Sequence, residues 1–591
     1  MKTRIYGLGL LTLSLLALAA CGGGGGGSGG EGSTTVQGCS YATGSEPVIT
    51  TTGTHPTNAA AVRFLAQASF GASEASLQAL TAGSYESWLS AQFALPQQLH
   101  LACVNQEAAA LAAVGKTLNH THFLQSWWGQ ALSRNDQLRQ RVAFALSQIL
   151  VVSFDGSLSD NVAGVAAYYD VLGKHAFGNY RDLMEEVSLH PAMGVYLSHL
   201  RNQKEDGKGR VPDENYAREV MQLFSIGLYE LNADGSVKSS GGKPLETYTN
   251  DDVSGLARVF TGYSWGGPDT SDSRFFDSSS VRAANSRVIP MQGYAKYHSV
   301  AEKKFLTAMI AAQGSADKAS MGADLKTALD TLFSHPNLPP FISKQMIQRL
   351  VTSNPSPAYV TRVASAFSSG TAYGFGSGKR GDMKALVAAI LLDAEARPAS
   401  PGTGSGKLRE PVLRLANWAR AFGATSQSGS YRVGNTDSAS SSLGQTPMRS
   451  PSVFNFYRPG YIPAGTRLAT ASLVAPEMQI THETTVAGYL NFMQSTVQYG
   501  VGTSTNGVRD VIAAYEKELA LAASADQLLD RVNLMLMAGG MKASTRTAIK
   551  AAIDAVPISS TNATAADTAR RQRVYLAVFL AMAAPEYLVQ K

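Results

Sequence analysis

The chain has 591 residues, of which 44% are hydrophobic and 16% charged, and its formal net charge at pH 7 is +6. This length fits one large domain or two to three ordinary ones, and the apolar content allows a sizeable core. The net positive charge is small, and no run of Lys and Arg is interleaved with aromatic residues. Both observations argue against a nucleic-acid partner.

The N-terminus predicts export. Lys2 and Arg4 precede an apolar run, and small residues lead to Cys21. A charged region, an apolar region and a cleavage site together indicate a signal peptide over 1–20 rather than a membrane span. The run 18–21 (LAAC) is similar to a bacterial lipobox, which implies that Cys21 becomes the acylated first residue of a lipoprotein. The alternative is an ordinary signal peptide with a chance cysteine.

Residues 21–56 are predicted to be a lipidated tether. They are rich in Gly and Ser and cannot bury enough apolar surface to fold alone. Cys39 and Cys103 are then left in an oxidising compartment, where a disulfide would persist. Their spacing does not establish the geometry, so a pair and two free thiols both stay open. Neither cysteine has a CxxC partner, so no thiolate metal site is predicted.

From residue 57 onward, apolar residues recur three and four positions apart, which predicts helices. We expect a mostly α fold with long loops and at most a short β-hairpin, placed over 230–247. The main helical domain is predicted over 57–490 and a C-terminal helical extension over 491–591. Predicted helices open at Asn58, at Asp136 and at Thr249, and also cover 180–187, 193–200, 212–230, 325–333, 341–350, 359–367, 383–392 and 412–422.

The densest polar cluster lies over 201–265. Asn215 and Glu219 are four residues apart, so they share one face of a helix with Arg218 nearby. Asp252 and Arg258 flank the apolar stripe of the next helix. If the two helices pack antiparallel, these acidic and guanidinium groups would converge. The alternatives are a solvated helix face and a buried structural ion pair.

Histidines are sparse and show no spacing typical of metal ligands, so no metal site is predicted. His298 is the best candidate, because it follows a long loop and precedes Lys303 by five residues. The hypothetical site therefore has Glu219 or Asp252 as general base, with His298 as a further catalytic residue. The binding residues in that hypothesis are Asn215, Arg218, Arg258 and Lys303. No cofactor can be named.

Several ordered motifs resemble a bacterial family called domain of unknown function 1800. They are 63–71 (RFLAQASFG), 175–181 (HAFGNYR), 212–219 (PDENYARE), 248–253 (YTNDDV), 257–265 (ARVFTGYSW), His298 with Lys303, His335 with Pro336, and 451–456 (PSVFNF). The resemblance covers about 58–490 and continues more weakly to the end. It implies an exported protein without an established activity. Members are often encoded beside the domain of unknown function 1501 family, which implies a protein partner from that family.

One departure from the family pattern bears on metal binding. Many members carry histidines in the helices matching 139–150 and 221–227, where this chain has Ser147, Ile149 and Phe224. If those histidines bind a metal in other members, this chain has lost the ligands.

Two functions are compatible with the sequence. The first is a lipid-anchored binding or assembly module of the cell envelope. Gly22 after Cys21 resembles a sorting signal for the outer membrane. The alternative is an envelope or extracellular enzyme, a hydrolase, that uses the Asp/Glu/Arg/His cluster.

Overall fold

The structure is a computed structural model that describes residues 39, 41, 46–47, 49, 53–278, 280–398, 402 and 404–591. The predicted signal peptide and Cys21 lie outside the described residues, as does most of the tether over 21–56. No helix among the described residues has the length and hydropathy needed to cross a membrane.

The first half of the described chain is built from helices, most of which begin at a capping side chain. The Thr57 hydroxyl accepts a hydrogen bond from the Ala60 amide, and Ser73 and Ser84 open the next two helices in the same way. These helices are α1 (Asn58–Ala68), α2 (Glu74–Thr81), α3 (Tyr85–Ala94), α4 (His100–Ala112), α5 (His120–Ser133), α6 (Gln137–Ser147), α7 (Val162–His175), α8 (Tyr180–Ser188) and α9 (Pro191–Tyr196).

The middle and C-terminal parts continue in the same style. The middle helices are α10 (Asn215–Gln222), α11 (Asn250–Val259), α12 (Lys318–Ser334), α13 (Leu338–Leu350), α14 (Pro357–Ser369), α15 (Met383–Leu392), α16 (Pro411–Ala421) and α17 (Arg467–Thr470). The last are α18 (Glu483–Tyr499), α19 (Glu516–Leu521), α20 (Ala525–Met537), α21 (Ala543–Asp554), α22 (Ala563–Ala583) and α23 (Pro585–Leu588). Three short 3-10 helices cover Asp272–Phe276, Ala295–Tyr297 and Pro476–Ile480.

Five small antiparallel sheets lie among the described residues. Their strands are β1 (Ser239–Ser240), β2 (Lys243–Pro244), β3 (Tyr263–Ser264), β4 (Gln292–Gly293), β5 (Lys303–Phe305), β6 (Ala308–Ile310), β7 (Lys407–Leu408), β8 (Thr425–Ser426), β9 (Val501–Thr505), β10 (Val508–Ile512) and β11 (Val589–Gln590). Adjacent strands pair as β1–β2, β3–β4, β5–β6 and β7–β11, and β10 lies between β8 and β9. These strands position loops and chain ends around the helical body.

One hydrophobic core runs through the described chain from α1 to α23. Its largest fully buried side chains include Trp88, Trp127, Trp128 and Trp418. The C-terminal helices are part of this core, since α20 packs against α1 and α16, and α22 packs against α18. A single compact unit accordingly spans Gln37–Lys591. The proposed boundary between 57–490 and 491–591 stays a prediction.

The mostly α fold predicted from the sequence is confirmed. The hairpin expected over 230–247 is present as β1–β2, but the other sheets exceed the single hairpin that was expected. Residues 508–512 form strand β10, although the tail was predicted to be helical. The helix predicted over 212–230 is shorter in the structure, where α10 covers only Asn215–Gln222.

The disulfide left open by the sequence is formed. The Sγ atoms of Cys39 and Cys103 are bonded, which ties the N-terminal arm to α4. Tyr41 follows in the same arm and is buried, with its ring 5.8 Å from that of Tyr431. The arm is therefore held by a covalent bond and by packing.

Candidate functional site

The two helices that carry the predicted cluster do pack together, but through other side chains than expected. The Glu214 carboxylate lies between them. Its Oε2 accepts a hydrogen bond from Arg218 Nη2 at 3.2 Å, and its Oε1 accepts one from Ser254 Oγ of α11 at 2.5 Å. Glu214 therefore joins α10 to α11, while Arg218 remains more than one-third exposed.

Asn215 and Glu219 lie on the same helix as Arg218. Asn215 Nδ2 donates to Ser198 Oγ at 3.4 Å. Glu219 is buried, and its Oε2 has no hydrogen-bond partner among the described residues. Burial raises the pKa of Glu219, and the nearby charge of Arg218 partly opposes that shift.

Asp252 and Arg258 point to the β5–β6 hairpin. Asp252 is the N3 residue of the capping box of α11, so Oδ2 accepts from the Thr249 amide at 2.7 Å, and Oδ1 accepts from the Leu306 amide at 2.6 Å. Burial opposes ionisation of Asp252, but these hydrogen bonds outweigh it and lower its pKa. Arg258 Nη1 donates to the Glu302 carbonyl at 2.5 Å.

The expected convergence of Arg218, Glu219, Asp252 and Arg258 is therefore wrong as stated. No hydrogen bond or ion pair among the described residues joins the α10 pair to the α11 pair. The physical reason is the rotation of α11, which turns Asp252 and Arg258 toward the hairpin and Ser254 toward α10. The capping box predicted at Thr249 is confirmed.

His298 and Lys303 do come together, on a carboxylate that the sequence did not single out. His298 Nε2 and Lys303 Nζ lie 3.1 and 2.9 Å from Asp324 Oδ2. His298 Nδ1 lies 2.7 Å from the Thr261 carbonyl, and Lys303 Nζ donates to the Ser299 carbonyl at 2.7 Å. The side chains of His298, Lys303 and Asp324 are at most 4% exposed, so the cluster is closed to solvent and ties β5 to α12.

A cleft of about 900 Å³ lies elsewhere, where α1 meets the C-terminal helices. We call it the α1–α20 cleft. One wall is the face of α1 from Ala59 to Ala66, and the opposite wall is the end of α20 with the following turn to Gly540. Arg397, Arg409 and the chain from Pro585 complete it. None of the sequence-predicted site residues lines this cleft.

The apolar part of the cleft comes from the two helices. Ala60 and Val62 contribute from α1, and Met535 and Met537 contribute from α20. Methionine side chains adapt their shape to what they contact, which suits a binding wall. Val62, Met535 and Met537 also belong to the hydrophobic core, so the apolar wall of the cleft is continuous with that core.

Three arginines line the cleft, and two of them, Arg63 and Arg397, come from different elements at one end of it. Arg63 on α1 donates from Nη2 to the Pro398 carbonyl at 2.5 Å. Arg397 has its guanidinium carbon 5.1 and 5.5 Å from the ring centroids of Phe64 and Tyr85. All three guanidinium nitrogens of Arg397 are shielded from solvent, and the nearest hydrogen-bonding group among the described residues is the Tyr85 hydroxyl, which interacts with the guanidinium. Burial lowers the pKa of Arg397 to about 10.

A second buried charge cluster lies beside the cleft, on strand β7. Lys407 Nζ is 2.9 Å from Glu477 Oε1 and 3.8 Å from Glu410 Oε1, and all three side chains are at most 1% exposed. Glu410 Oε2 also accepts from Gln148 and Gln445. Because β7 pairs with β11, which lines the cleft, this cluster anchors that wall of the cleft.

Sequence reasoning missed the three arginines that line the cleft, Arg63, Arg397 and Arg409. Arg63 stands in the first family motif, 63–71, but nothing in that motif indicates a ligand. Arg397 follows the apolar helix α15 and precedes a proline, which gives it no recognisable spacing. Identifying these arginines as cleft residues would have required knowing that α1 and α20 are neighbours in the fold.

No group of three or more His, Cys, Asp and Glu side chains in the described ranges is arranged to hold a metal ion. At the positions of the family histidines, Ser147 Oγ donates to the Phe144 carbonyl at 2.8 Å, and Ile149 and Phe224 are buried in the core. Those positions serve packing in this chain.

Comparison with known proteins adds a family. A family model described as "Protein of unknown function (DUF1800)" matches residues 63–589, which is most of the chain. No significant match is found among curated proteins. The same holds for solved structures.

Proposed function

Since this chain belongs to the DUF1800 family, whose function is unknown, we propose from its own residues that it is a lipid-anchored binding or assembly module of the bacterial cell envelope. The observation that carries this proposal is the α1–α20 cleft. A cavity of about 900 Å³ with an apolar wall and a few converging polar side chains is typical of a ligand-binding site.

Support for the location comes from the sequence. The signal-like run over 1–20, the lipobox-like Cys21 and the Gly-rich stretch after it suit export and attachment by an acyl chain. Gly22 after Cys21 favours the outer membrane. A tether of this composition would let the folded body reach a partner at a distance from the membrane.

The expected partner is a protein, and a member of the domain of unknown function 1501 family is our first candidate. This candidate comes from the family resemblance. Membrane contact would be limited to the lipid anchor, and no nucleic acid is expected. The hydrolase hypothesis remains a prediction, and no contact in the described structure favours it, because its acidic residues do not share a site.

The cleft is tested by filling it. Ala60→Trp places a bulky side chain on the α1 wall, whereas Ala319→Trp places it on an exposed position of α12 away from the cleft. We expect chemical crosslinking in solubilised envelope to yield a defined complex with the native chain and with A319W. The same complex should be lost with A60W.

Retention of the complex in A60W, with the variant folded, would reject the cleft as the contact site. Recovery of no crosslinked partner in repeated experiments would reject the assembly role. Lipid attachment is tested separately by Cys21→Ala, which should release the protein from the membrane fraction and remove the acyl mass measured on the mature chain.

A further inference from the structure

We propose that a groove between α18 and α22 binds a neutral oligosaccharide, whose sugar rings lie on Tyr575 and Phe579 and whose hydroxyls pair with glutamine amides. We call it the α18–α22 groove. It has a volume of about 380 Å³, and none of its described lining residues lines the α1–α20 cleft. The inference therefore goes beyond the proposed function and concerns a second binding surface.

The groove forms along the outer sides of two packed helices. α18 packs against α22, and inner side chains such as Met493 and Val578 are buried in the core. Gln494 and Gln498 stand one helical turn apart on the α18 wall. The lining residues of α22 follow two rows with a spacing of four residues, which are Thr568, Gln572 and Leu576, and Arg571, Tyr575 and Phe579.

Two aromatic rings line the groove along α22. Tyr575 and Phe579 are partly exposed and stand about 6 Å apart along the helix axis. Tyr575 is held in place, since its ring centroid is 5.9 Å from that of Tyr515 and its hydroxyl interacts with Arg571. One face of a sugar ring carries mainly C–H groups and packs on an aromatic ring as an apolar surface does. Two successive rings therefore suit successive sugars.

The amides beside these rings are unpaired and within reach of a ligand. Gln494, Gln498 and Gln572 are exposed, and their side chains make no hydrogen bond with another described residue. Each amide carries two donors and an acceptor on one plane. Adjacent hydroxyls of a sugar also donate and accept, so a planar amide can pair with both of them.

The charge of the groove favours a neutral ligand. Arg571 is the one charged side chain among the described lining residues, and its Nε donates to Asp567 Oδ2 at 2.9 Å. An anion would have to compete with that carboxylate, and a cation would find no partner on the described walls. A purely apolar ligand would cover the amides without giving them partners, which is unfavourable.

The groove continues into a smaller cavity of about 100 Å³. The two cavities share Gln498, Arg571 and Tyr575, and the far side of the smaller one is formed by the chain over 512–515. The whole site is therefore longer than either cavity alone. This length favours a chain of sugar rings over a single sugar.

The experiment uses the full chain and a set of neutral tetrasaccharides, namely cellotetraose, maltotetraose, mannotetraose and chitotetraose. Binding is measured by calorimetry and by the shift of the melting temperature, since a ligand that binds only the folded state stabilises it. We expect at least one of these probes to bind and to raise the melting temperature. The corresponding monosaccharide should bind at least about tenfold more weakly, because it contacts fewer side chains.

The decisive variant combines Gln494→Ala with Gln498→Ala. Both side chains are exposed and without partners, so the melting temperature without ligand should not fall. The affinity for the bound tetrasaccharide should fall at least about tenfold, because hydrogen bonds to its hydroxyls are lost. Gln527→Ala is the matched control, since Gln527 is an exposed glutamine of α20 outside the groove, and it should leave the affinity unchanged.

A second pair of variants tests the aromatic contact. Phe579→Leu keeps an apolar side chain but removes the ring, and about a tenfold loss of affinity is expected. Phe579→Tyr keeps the ring and should bind the tetrasaccharide within about threefold of the native chain. Equal affinities of folded F579L and F579Y would reject the stacking of a sugar on this ring.

Three further results would overturn the proposal. They are no binding of any of the neutral tetrasaccharides, an unchanged affinity in Q494A/Q498A, and tighter binding of tetragalacturonate, which is anionic, than of every neutral probe. We expect A60W to bind the tetrasaccharide as the native chain does, and Q494A/Q498A to yield the crosslinked complex. Failure here is therefore distinguishable from failure of the proposed function.

Discussion

Two buried charged residues in this protein differ in how their charge is compensated. Asp324 meets both His298 and Lys303 within 3.1 Å. Burial opposes ionisation of Asp324, but those two partners outweigh it and lower its pKa. The shielded guanidinium of Arg397 instead lies over the rings of Phe64 and Tyr85, and the Tyr85 hydroxyl interacts with it. The first charge is compensated by ion pairs, whereas the second is stabilised by the faces of aromatic rings.

Glu219 allows a prediction at the same scale. Its pKa is raised by burial above the ordinary value of 4.5. The folded state binds the Glu219 proton more tightly than the unfolded state does. The contribution of Glu219 to the free energy of unfolding is therefore fully present below pH 4.5, and it is lost as the pH rises through the raised pKa of the folded state. Glu219→Gln removes this loss, so the variant should become more stable relative to the native chain as the pH rises. The gain in the free energy of unfolding of the variant relative to the native chain is about 1.4 kcal/mol for each unit by which folding raises the pKa of Glu219.

The measurement is the melting temperature of both proteins across the acidic to neutral range. Glu214→Gln is the control on the same helix, and it should lose about 0.5–1.5 kcal/mol, because it weakens the hydrogen bonds to Arg218 and Ser254. A large loss of stability in E219Q at neutral pH would contradict the prediction and would identify an ion pair with Arg218.

At the scale of the elements, α11 and the β5–β6 hairpin approach each other very closely at Gly255. A Cβ atom added to Gly255 would lie 1.8 Å from the Lys304 carbonyl oxygen, which is backbone and cannot rotate away. Only glycine lets the hairpin approach α11 this closely. That approach in turn places the Leu306 amide on Asp252.

Gly255→Ala should therefore destabilise the protein by about 1–3 kcal/mol, because the hairpin must move. Gly322→Ala is the matched control in the interior of α12, where an added Cβ meets nothing within 4 Å. That variant should be about 0.5–1 kcal/mol more stable, since alanine loses less backbone entropy in a helix. Denaturant unfolding of both variants checks the opposite signs, and equal effects would refute the explanation.

At the scale of the whole molecule, the N-terminal arm and the C-terminal helices close the fold. The Cys39–Cys103 disulfide joins residues 64 apart. The α1–α20 cleft is assembled from both ends of the compact unit, since α1 packs on α20 and β11 pairs with β7. A change at either end can therefore reach the cleft.

Removing the disulfide gives a prediction at this scale. Cys103→Ser should lower the free energy of unfolding by about 2–5 kcal/mol, because the unfolded chain is no longer cross-linked. Cys39→Ser should cost the same, and the double variant should add little more, since all three break one bond. Thermal unfolding under non-reducing conditions measures this, and free thiols detected in the native chain would contradict it.

The sequence by itself determined the helical architecture and the family. Local signals were sufficient for that, as Thr249 and Asp252 show by forming the predicted capping box and Met383–Leu392 by forming the predicted helix. The family could likewise be recognised without coordinates, and the family model that matches residues 63–589 confirms it.

Only the tertiary structure decided which distant side chains meet and where the α1–α20 cleft forms. Arg63 and Pro398 are 335 residues apart and touch, and the rotation of α11 separated Asp252 from Arg218. Periodicity tells which face of a helix is apolar, but not which distant helix will cover it.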